Sequence, residues 1–416
     1  MNVDTMRRVD YWAGIPLCAL LTLWVRLQNL WRAAAPEKPS RLLFIELSEM
    51  GSAVIADPAM RLARDRGAEL FFLIFDSNRH SLGLLNTVHP ANVLTLRSDS
   101  LLNLAVDTLC VLWKLRRLHI DTVIDLELFS RFTALLTGLS GAPRRVGYHS
   151  FHNEGLWRGD LLTHRVPYNP HQHIAKNFVA LVEAAFSPAD SSLPHGKLAI
   201  PDAAIQLAQV NIPLDVRQSL TQRIHALAEH SGVNWLSGQH PLILINANAS
   251  DLLPQRRWAP SRFAGLIADL AKTWPEALFL LTGSAQERMY VESVRAESQC
   301  DRALNFAGSV SFAELPTLYS ISDLMVTNDS GPGHFAAVTP LQTLVLFGPE
   351  TPKLYGSLGK SLALSADLAC SPCVSAGNHR KTPCHDNVCM QALSVTEVAA
   401  AARRILPNNP AAPLLN

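Results

Sequence analysis

The stretch DLMVTNDSGPGHFAAVTPLQTLVLFGPETPKLYG, residues 323–356, decides how the rest of this chain is read. Residues 324–327 are an apolar run of strand character, and Asn328-Asp329-Ser330-Gly331-Pro332-Gly333 supplies the breakers that end it. Residues 334–338 turn apolar again but allow only a helical turn or two. Residues 343–347 form a second buried strand, closed by Gly348-Pro349. A small-residue turn feeding a helix N-terminus leaves backbone N–H groups pointing outward, and with the helix dipole they form a site for phosphate. The same residues also make an ordinary βα turn for purely local reasons, so the turn alone leaves both readings open.

The alternation extends in both directions. Residues 242–246, 278–282 and 303–306 are strand candidates before the decisive stretch, and residues 41–47, 69–75, 92–96, 122–126 and 144–148 are candidates in the first half. Helical patterns lie between them, near 101–117 and 129–139 among others. Short apolar strands separated by helices imply parallel sheets covered on both faces. A polar, proline-rich passage at 187–201 marks a boundary. The predicted fold class is α/β, with two Rossmann-like αβα domains facing a cleft over residues 41–200 and 201–416. The amphipathic final helix, residues 396–405, is expected to pack back onto the N-terminal domain.

Composition sets the limits. Of 416 residues, 48% are hydrophobic and 17% charged, enough to bury large cores. Lys and Arg number 36 against 35 Asp and Glu, so no global field favours nucleic acid and any phosphate recognition is local. Seven cysteines, odd in number and sparse, argue against a secreted disulfide scaffold. Residues 1–40 differ from the rest. Arg7-Arg8 precede the uncharged run YWAGIPLCALLTLWV (11–25), followed by Arg26 and Arg32. As a helix that run spans roughly 22 Å, short of a hydrocarbon core of ~30 Å. Trp12, Trp24 and Trp31 with flanking arginines suit the headgroup region. The expectation is a short apolar helix anchored in or on the cytoplasmic face of the inner membrane, with residues 36–40 as linker. A helix packed on the globular body is the alternative.

The pattern Asp329-Ser330-Gly331, His334, Ala336-Ala337 and Phe347-Gly348-Pro349 resembles glycosyltransferase family 9, the heptosyltransferases of lipopolysaccharide assembly. The resemblance implies the GT-B fold, with the donor bound mainly by the C-terminal half. At the first-strand turn the family commonly carries L-S-S-L-G-D-V, with the Asp as proposed base. Here Leu47-Ser48-Glu49-Met50-Gly51-Ser52-Ala53 puts Ser52 in that place. A hydroxyl cannot take a proton from a sugar alcohol as a carboxylate does, so Glu49 on the same turn becomes the candidate base, with Gly51 allowing close approach of the acceptor. Glu46, by strand alternation, points into or against the sheet. Arg256 in Arg256-Arg257-Trp258 falls where the family's phosphate-binding Lys stands, and a guanidinium grips a diphosphate with parallel hydrogen bonds. Glu287 after Leu281-Thr282-Gly283-Ser284 matches an acid that holds nucleoside hydroxyls, or else serves only the helix start. Asp329, Ser330, Gly331 and His334 complete the donor set.

Cys370, Cys373, Cys384 and Cys389, with His379 and His385 between them, could hold a structural zinc. The segment also resembles a family loop, with reduced cysteines or a disulfide as the alternatives to a metal, and no cofactor is expected. Together these readings describe an inverting, metal-independent glycosyltransferase. Its partners are a nucleotide-sugar donor such as ADP-heptose, a glycolipid or lipopolysaccharide core acceptor, and the inner membrane surface, with no nucleic acid. A degenerate sugar-nucleotide or glycolipid binder and a GT-B-type epimerase are the alternatives.

Overall fold

The computed structural model describes residues 3–29, 38–47, 49–128, 130–149, 156–188, 199–250, 253–375 and 382–406. Trp31, Ser48, His379, part of the 36–40 linker and most of the 187–201 boundary lie outside them. The chain divides into two units, Met1–Gln206 with Val374–Lys381, and Leu207–Cys373 with Thr382–Asn416.

The first unit opens with helices α1 (Val3–Trp12) and α2 (Gly14–Asn29). Strands β1 (Arg41–Ile45), β2 (Glu69–Phe75), β3 (Val93–Leu96), β4 (Thr122–Asp125), β5 (Arg144–Tyr148) and β6 (His164–Val166) follow. They alternate with α3 (Met50–Ile55), α4 (Asp57–Asp65), α5 (Leu101–Arg117) and α6 (Arg131–Leu139), and α7 (Ile174–Ala185) comes after β6. All pairings are parallel, in the order β3-β2-β1-β4-β5-β6. Leu43, Ile45, Phe71 and Leu73 meet Val111, Leu112 and Leu115 of α5 and Leu136 of α6 on one face. On the other face α4 and α7 pack together.

The second unit repeats the plan. Its strands are β7 (Leu242–Asn246), β8 (Leu278–Leu281), β9 (Ala303–Asn305), β10 (Leu324–Asn328), β11 (Gln342–Phe347) and β12 (Ser361–Ser365), parallel in the order β12-β11-β10-β7-β8-β9. Its helices are α8 (Leu214–His230), α9 (Pro260–Thr273), α10 (Arg288–Ser298), α11 (Leu315–Ser320), α12 (Gly331–Ala336), α13 (Pro352–Tyr355), α14 (Val388–Gln391) and α15 (Val395–Ile405). Strands β7, β8 and β10 are buried along their whole length, as strands covered on both faces must be. Sequence patterning missed β6 and β12, both at sheet edges. β6 has three residues, and β12 leaves several side chains partly in water, so neither gives a continuous apolar run. The final helix also departs from expectation. Val398, Ala399, Ala401 and Ala402 of α15 are buried with Leu266 and Ile267 of α9 in the core of the second sheet, not on the first unit.

The N-terminal helices are fastened on one side only. Asp10 accepts hydrogen bonds from the backbone N–H groups of Arg131 (2.8 Å) and Phe132 (3.0 Å), capping α6 as an acid at a helix N-terminus does. Leu21 and Val25 pack on Ala134 and Leu161. Gly159, at φ +75, lets α2 come close, since a Cβ there would stand 2.7 Å from Thr22 Oγ1 and 3.0 Å from the Cys18 carbonyl. The opposite side of α2 carries exposed Leu17, Leu20, Leu23, Trp24 and Leu27. No helix among the described residues is long and apolar enough to cross a membrane.

Candidate functional site

Ligands of doubly wound sheets collect outside the carboxyl ends of the strands, where the strand order reverses. That point lies between β7 and β10 in the second sheet and between β1 and β4 in the first. The sequence-predicted donor residues, Glu287 apart, lie around the first of these points, and the predicted base lies beside the second.

In the second unit, Asn328 ends β10 and is fully buried. Its Nδ2 donates to the carbonyls of Ala247 (2.9 Å) and Asn248 (3.3 Å), and its Oδ1 accepts from the Trp258 N–H (3.0 Å). The loop after β7 is thereby folded back over the strand end, and Arg256 reaches Asp329. Arg256 Nη2 donates to Glu350 Oε2 at 2.5 Å, and its Nε lies 3.5 Å from Asp329 Oδ2. Both carboxylates are buried and the guanidinium nearly so. Arg257 is spent differently, with Nε and Nη2 on the Ala249 carbonyl at 3.1 and 2.7 Å. Of the arginine pair, therefore, Arg256 is the one set among acids at the strand ends.

The turn after β10 offers fewer amides than its glycines suggest. Asp329 N–H donates to Leu346 O (2.9 Å), Pro332 has no N–H, and Gly333 N–H donates to Ser330 O (3.2 Å). The donors that remain near the strand end are the Ser330 and Gly331 amides. The Ser330 hydroxyl turns back to the Asn328 carbonyl (3.2 Å), and His334 sits half-buried in the last turn of α12. Glu287 closes a capping box, accepting from the Ser284 N–H (2.7 Å) and hydroxyl (2.8 Å), which is the helix-start role.

The cysteine-bearing segment braces this site from behind. Asn387 Nδ2 donates to the carbonyls of Gln255 (3.3 Å) and Arg257 (2.9 Å), Gln255 Nε2 donates to Cys384 O (2.8 Å), and the Trp258 indole donates to Leu393 O (2.9 Å). A Cβ on Gly348 would stand 2.5 Å from Met390 Sδ and 3.1 Å from Cys389 Sγ. The Phe347-Gly348-Pro349 turn and the Cys389-Met390 pair are thus packing partners. Cys370, Cys373, Cys384 and Cys389 form no disulfide, and among the described residues no group of three or more His, Cys, Asp or Glu is arranged to hold a metal ion.

In the first unit, Glu49 precedes α3 in extended conformation and is half-buried, while Gly51 and Ser52 lie within the helix. Behind them three acids gather, Glu46, Asp125 and Glu127. Leu47 N–H donates to Glu127 Oε1 (3.1 Å), and Glu127 N–H donates to Asp125 Oδ1 (3.1 Å). Arg158 pairs with Asp125 and also donates to Glu127 O (2.6 Å), Ser130 O (2.9 Å) and Thr133 Oγ1 (3.0 Å). Burial pushes the Glu46 carboxyl well above the usual range, and Glu127, Glu49 and Asp125 push it the same way, opposed by a hydrogen bond from the Glu49 N–H. Burial also pushes Asp125 up to about 6, against the Arg158 guanidinium.

Sequence reasoning missed Glu350, Asn328, Asp125, Glu127 and Arg158 as parts of these sites. One signal was present. Ile-Glu-Leu at 45–47, Ile-Asp-Leu-Glu at 124–127 and Gly-Pro-Glu at 348–350 each place an acid just where an apolar strand ends.

Glycosyltransferase family 9 (heptosyltransferase) is the family whose model matches residues 111–382, more than half of the chain. The chain belongs to glycosyltransferase family 9. This family 9 chain is 27% identical over 186 residues to Lipooligosaccharide heptosyltransferase 2 of Campylobacter jejuni, covering 42% of the chain and 56% of the relative. It is 30% identical over 135 residues to Lipooligosaccharide heptosyltransferase 2 of Haemophilus influenzae, covering 32% and 38%. The matches span about half or less of the length of these curated relatives. In fold it is similar to E. coli ADP-heptose lps heptosyltransferase II, with TM-score 0.66, 18% identity and 88% and 98% of the two chains covered. The glycosyl transferase family 9 structure from Veillonella parvula gives TM-score 0.66, 16% identity and 91% and 100% coverage. The α/β architecture is that of the GT-B heptosyltransferases.

Proposed function

We propose that this family 9 protein is an inverting heptosyltransferase that takes its sugar from a nucleotide diphosphate donor of the ADP-heptose kind. The acceptor is a lipid-borne oligosaccharide of the lipopolysaccharide core, presented at the cytoplasmic face of the inner membrane. The observation that carries the reading is Arg256, a nearly buried cation at the point where strand order reverses, set between Asp329 and Glu350. A diphosphate arriving at the β7 and β10 ends takes the guanidinium from Glu350 and adds the Ser330 and Gly331 amides. Glu287, held through Oε2 by Ser284, offers its other carboxylate oxygen to ribose hydroxyls, and His334 backs the phosphate turn.

On the acceptor side, Glu49 is the base. An acceptor hydroxyl gives its proton to the Glu49 carboxylate as its oxygen bonds to the anomeric carbon, and the bond from that carbon to the diphosphate oxygen breaks. Ser52 orients the incoming hydroxyl from the same turn, and Gly51 leaves room for it. The negative charge that builds on the leaving diphosphate falls on Arg256 and the turn amides, a role that asks nothing of a metal.

The test is transfer from ADP-heptose to a glycolipid core extract, followed by ADP release and by the mass of the product. The wild type should transfer with inversion at the anomeric carbon. Glu49→Gln should lose about 100-fold or more in rate while ADP affinity holds. Donor binding without transfer to any glycolipid would favour the binder, and isomerised donor without acceptor would favour the epimerase. Either outcome removes the proposal.

A further inference from the structure

Helix α5 is apolar on two opposite sides. Val111, Leu112 and Leu115 face the core of the first sheet. Leu102, Val106, Leu109 and Trp113, at i, i+4, i+7 and i+11, form a stripe along the other side, with exposures of 74, 45, 69 and 54%. A helix whose outer side faces water carries charge there, and a continuous apolar stripe marks a surface that something covers.

The charges around the stripe say what covers it. Asp107, the one acid in the helix, is closed off by Arg97 through bonds of 2.8 and 2.9 Å. Lys114 and Arg117 are exposed at the C-terminal end, and the Arg117 guanidinium lies 4.1 Å from the centre of the Trp113 ring. A tryptophan with a stacked arginine at the end of a leucine stripe suits the headgroup layer, with leucines in the acyl boundary and cations on phosphate. A second copy of this face would bring no free acid on α5 to meet these cations. The stripe also has company. α5 and α6 cover the same face of the first sheet, and α2 lies on α6, with Leu17, Leu20, Trp24 and Leu27 turned away from it.

We propose that the outer stripe of α5 is a lipid-docking surface, which binds the interfacial layer of an anionic phospholipid bilayer together with the outer side of α2. Its purpose in transfer rests on the lipid-borne acceptor proposed above, whereas the surface itself is argued from α5. The stripe lies flat in the interface and spans nothing.

The test is flotation of the full chain with phosphatidylcholine vesicles, with and without phosphatidylglycerol and free of any glycolipid, so that it does not depend on the transfer reaction. The wild type should float with the anionic vesicles, and Leu102→Ser/Leu109→Ser/Trp113→Ser should lower the bound fraction by about tenfold or more. Lys114→Gln/Arg117→Gln should lower binding only where phosphatidylglycerol is present, and ADP affinity and melting temperature should hold in both. If Leu20→Ser/Trp24→Ser abolishes flotation while the α5 triple variant floats like the wild type, the α5 proposal is overturned and the N-terminal anchor stands. If the triple variant instead splits a dimer in sedimentation, the stripe is a protein contact and the proposal falls.

Discussion

Replacing Asn328 by Asp changes one atom type at the junction of three segments and should loosen the whole donor side. The Oδ1 contact with the Trp258 N–H survives, but the Nδ2 donor becomes an oxygen facing the Ala247 and Asn248 carbonyls, now 2.9 and 3.3 Å away. Two hydrogen bonds of about 0.5–1.5 kcal/mol each are lost, and leaving buried acceptors facing a carboxylate costs about 1–3 kcal/mol more. A loss of about 3 kcal/mol lowers the melting temperature of a unit this size by roughly 10 °C. Protonation gives the new side chain a donor again, so its folded pKa is raised above the unfolded value of about 3.9. The folded state then binds the proton more tightly. The variant is therefore best off at acid pH and loses stability as pH rises through that raised pKa.

Asn328→Ala titrates nothing and serves as the reference for the rest of the chain. Thermal unfolding of wild type and both variants across acid to neutral pH is the assay, with ADP affinity by calorimetry in parallel. The Asp variant should approach the Ala variant or surpass it at acid pH, fall below it near neutrality, and bind ADP at least about tenfold more weakly than wild type. An Asp deficit under about 1 kcal/mol at neutral pH, or one that grows toward acid relative to Ala, refutes the role given to Asn328.

Three further outcomes are expected. Gly348→Ala puts a Cβ 2.5 Å from Met390 Sδ, so it should cost about 1–3 kcal/mol, and shortening Met390 in the same chain should recover part of the lost melting temperature. Glu46→Gln should gain stability over wild type as pH rises, because a carboxyl whose folded pKa is raised stabilises the fold only while protonated; melting curves from acid to alkaline pH read this directly. Glu350→Gln removes a buried negative charge from beside Arg256, and calorimetry should find ADP bound about threefold tighter or more, most clearly at low salt.

The sequence made the central strands legible because residues 242–245 and 324–326 are apolar and lie inside their sheets, so a local pattern reports a global position. The α5 boundaries, Leu101 and Arg117, were legible for a related reason: Ser100 caps the start and a basic cluster marks the end. Edge strands such as β12 escaped, since half of their surroundings are water. Arg256 and Glu49 were visible only through their place in a motif. The residues that hold them were not, because Asn328 reaches Ala247 across 81 residues and Arg256 reaches Glu350 across 94. No local period encodes such a bond. Glu46 shows the converse. Its burial was read from strand alternation, but the pressure of Asp125 and Glu127 on it depends on β4 lying next to β1.

The brace formed by Cys384, Asn387 and Leu393 has a consequence for synthesis. All six strands of the second sheet have been made once Ser365 is in place, yet the loop bearing Arg256 is tied down by Cys384, Asn387 and Leu393. A nascent chain stalled before those residues would hold a finished sheet and an untied Arg256 loop. The Arg256 loop would thus be fixed only after the sheet is complete, once residues 384–393 have been made.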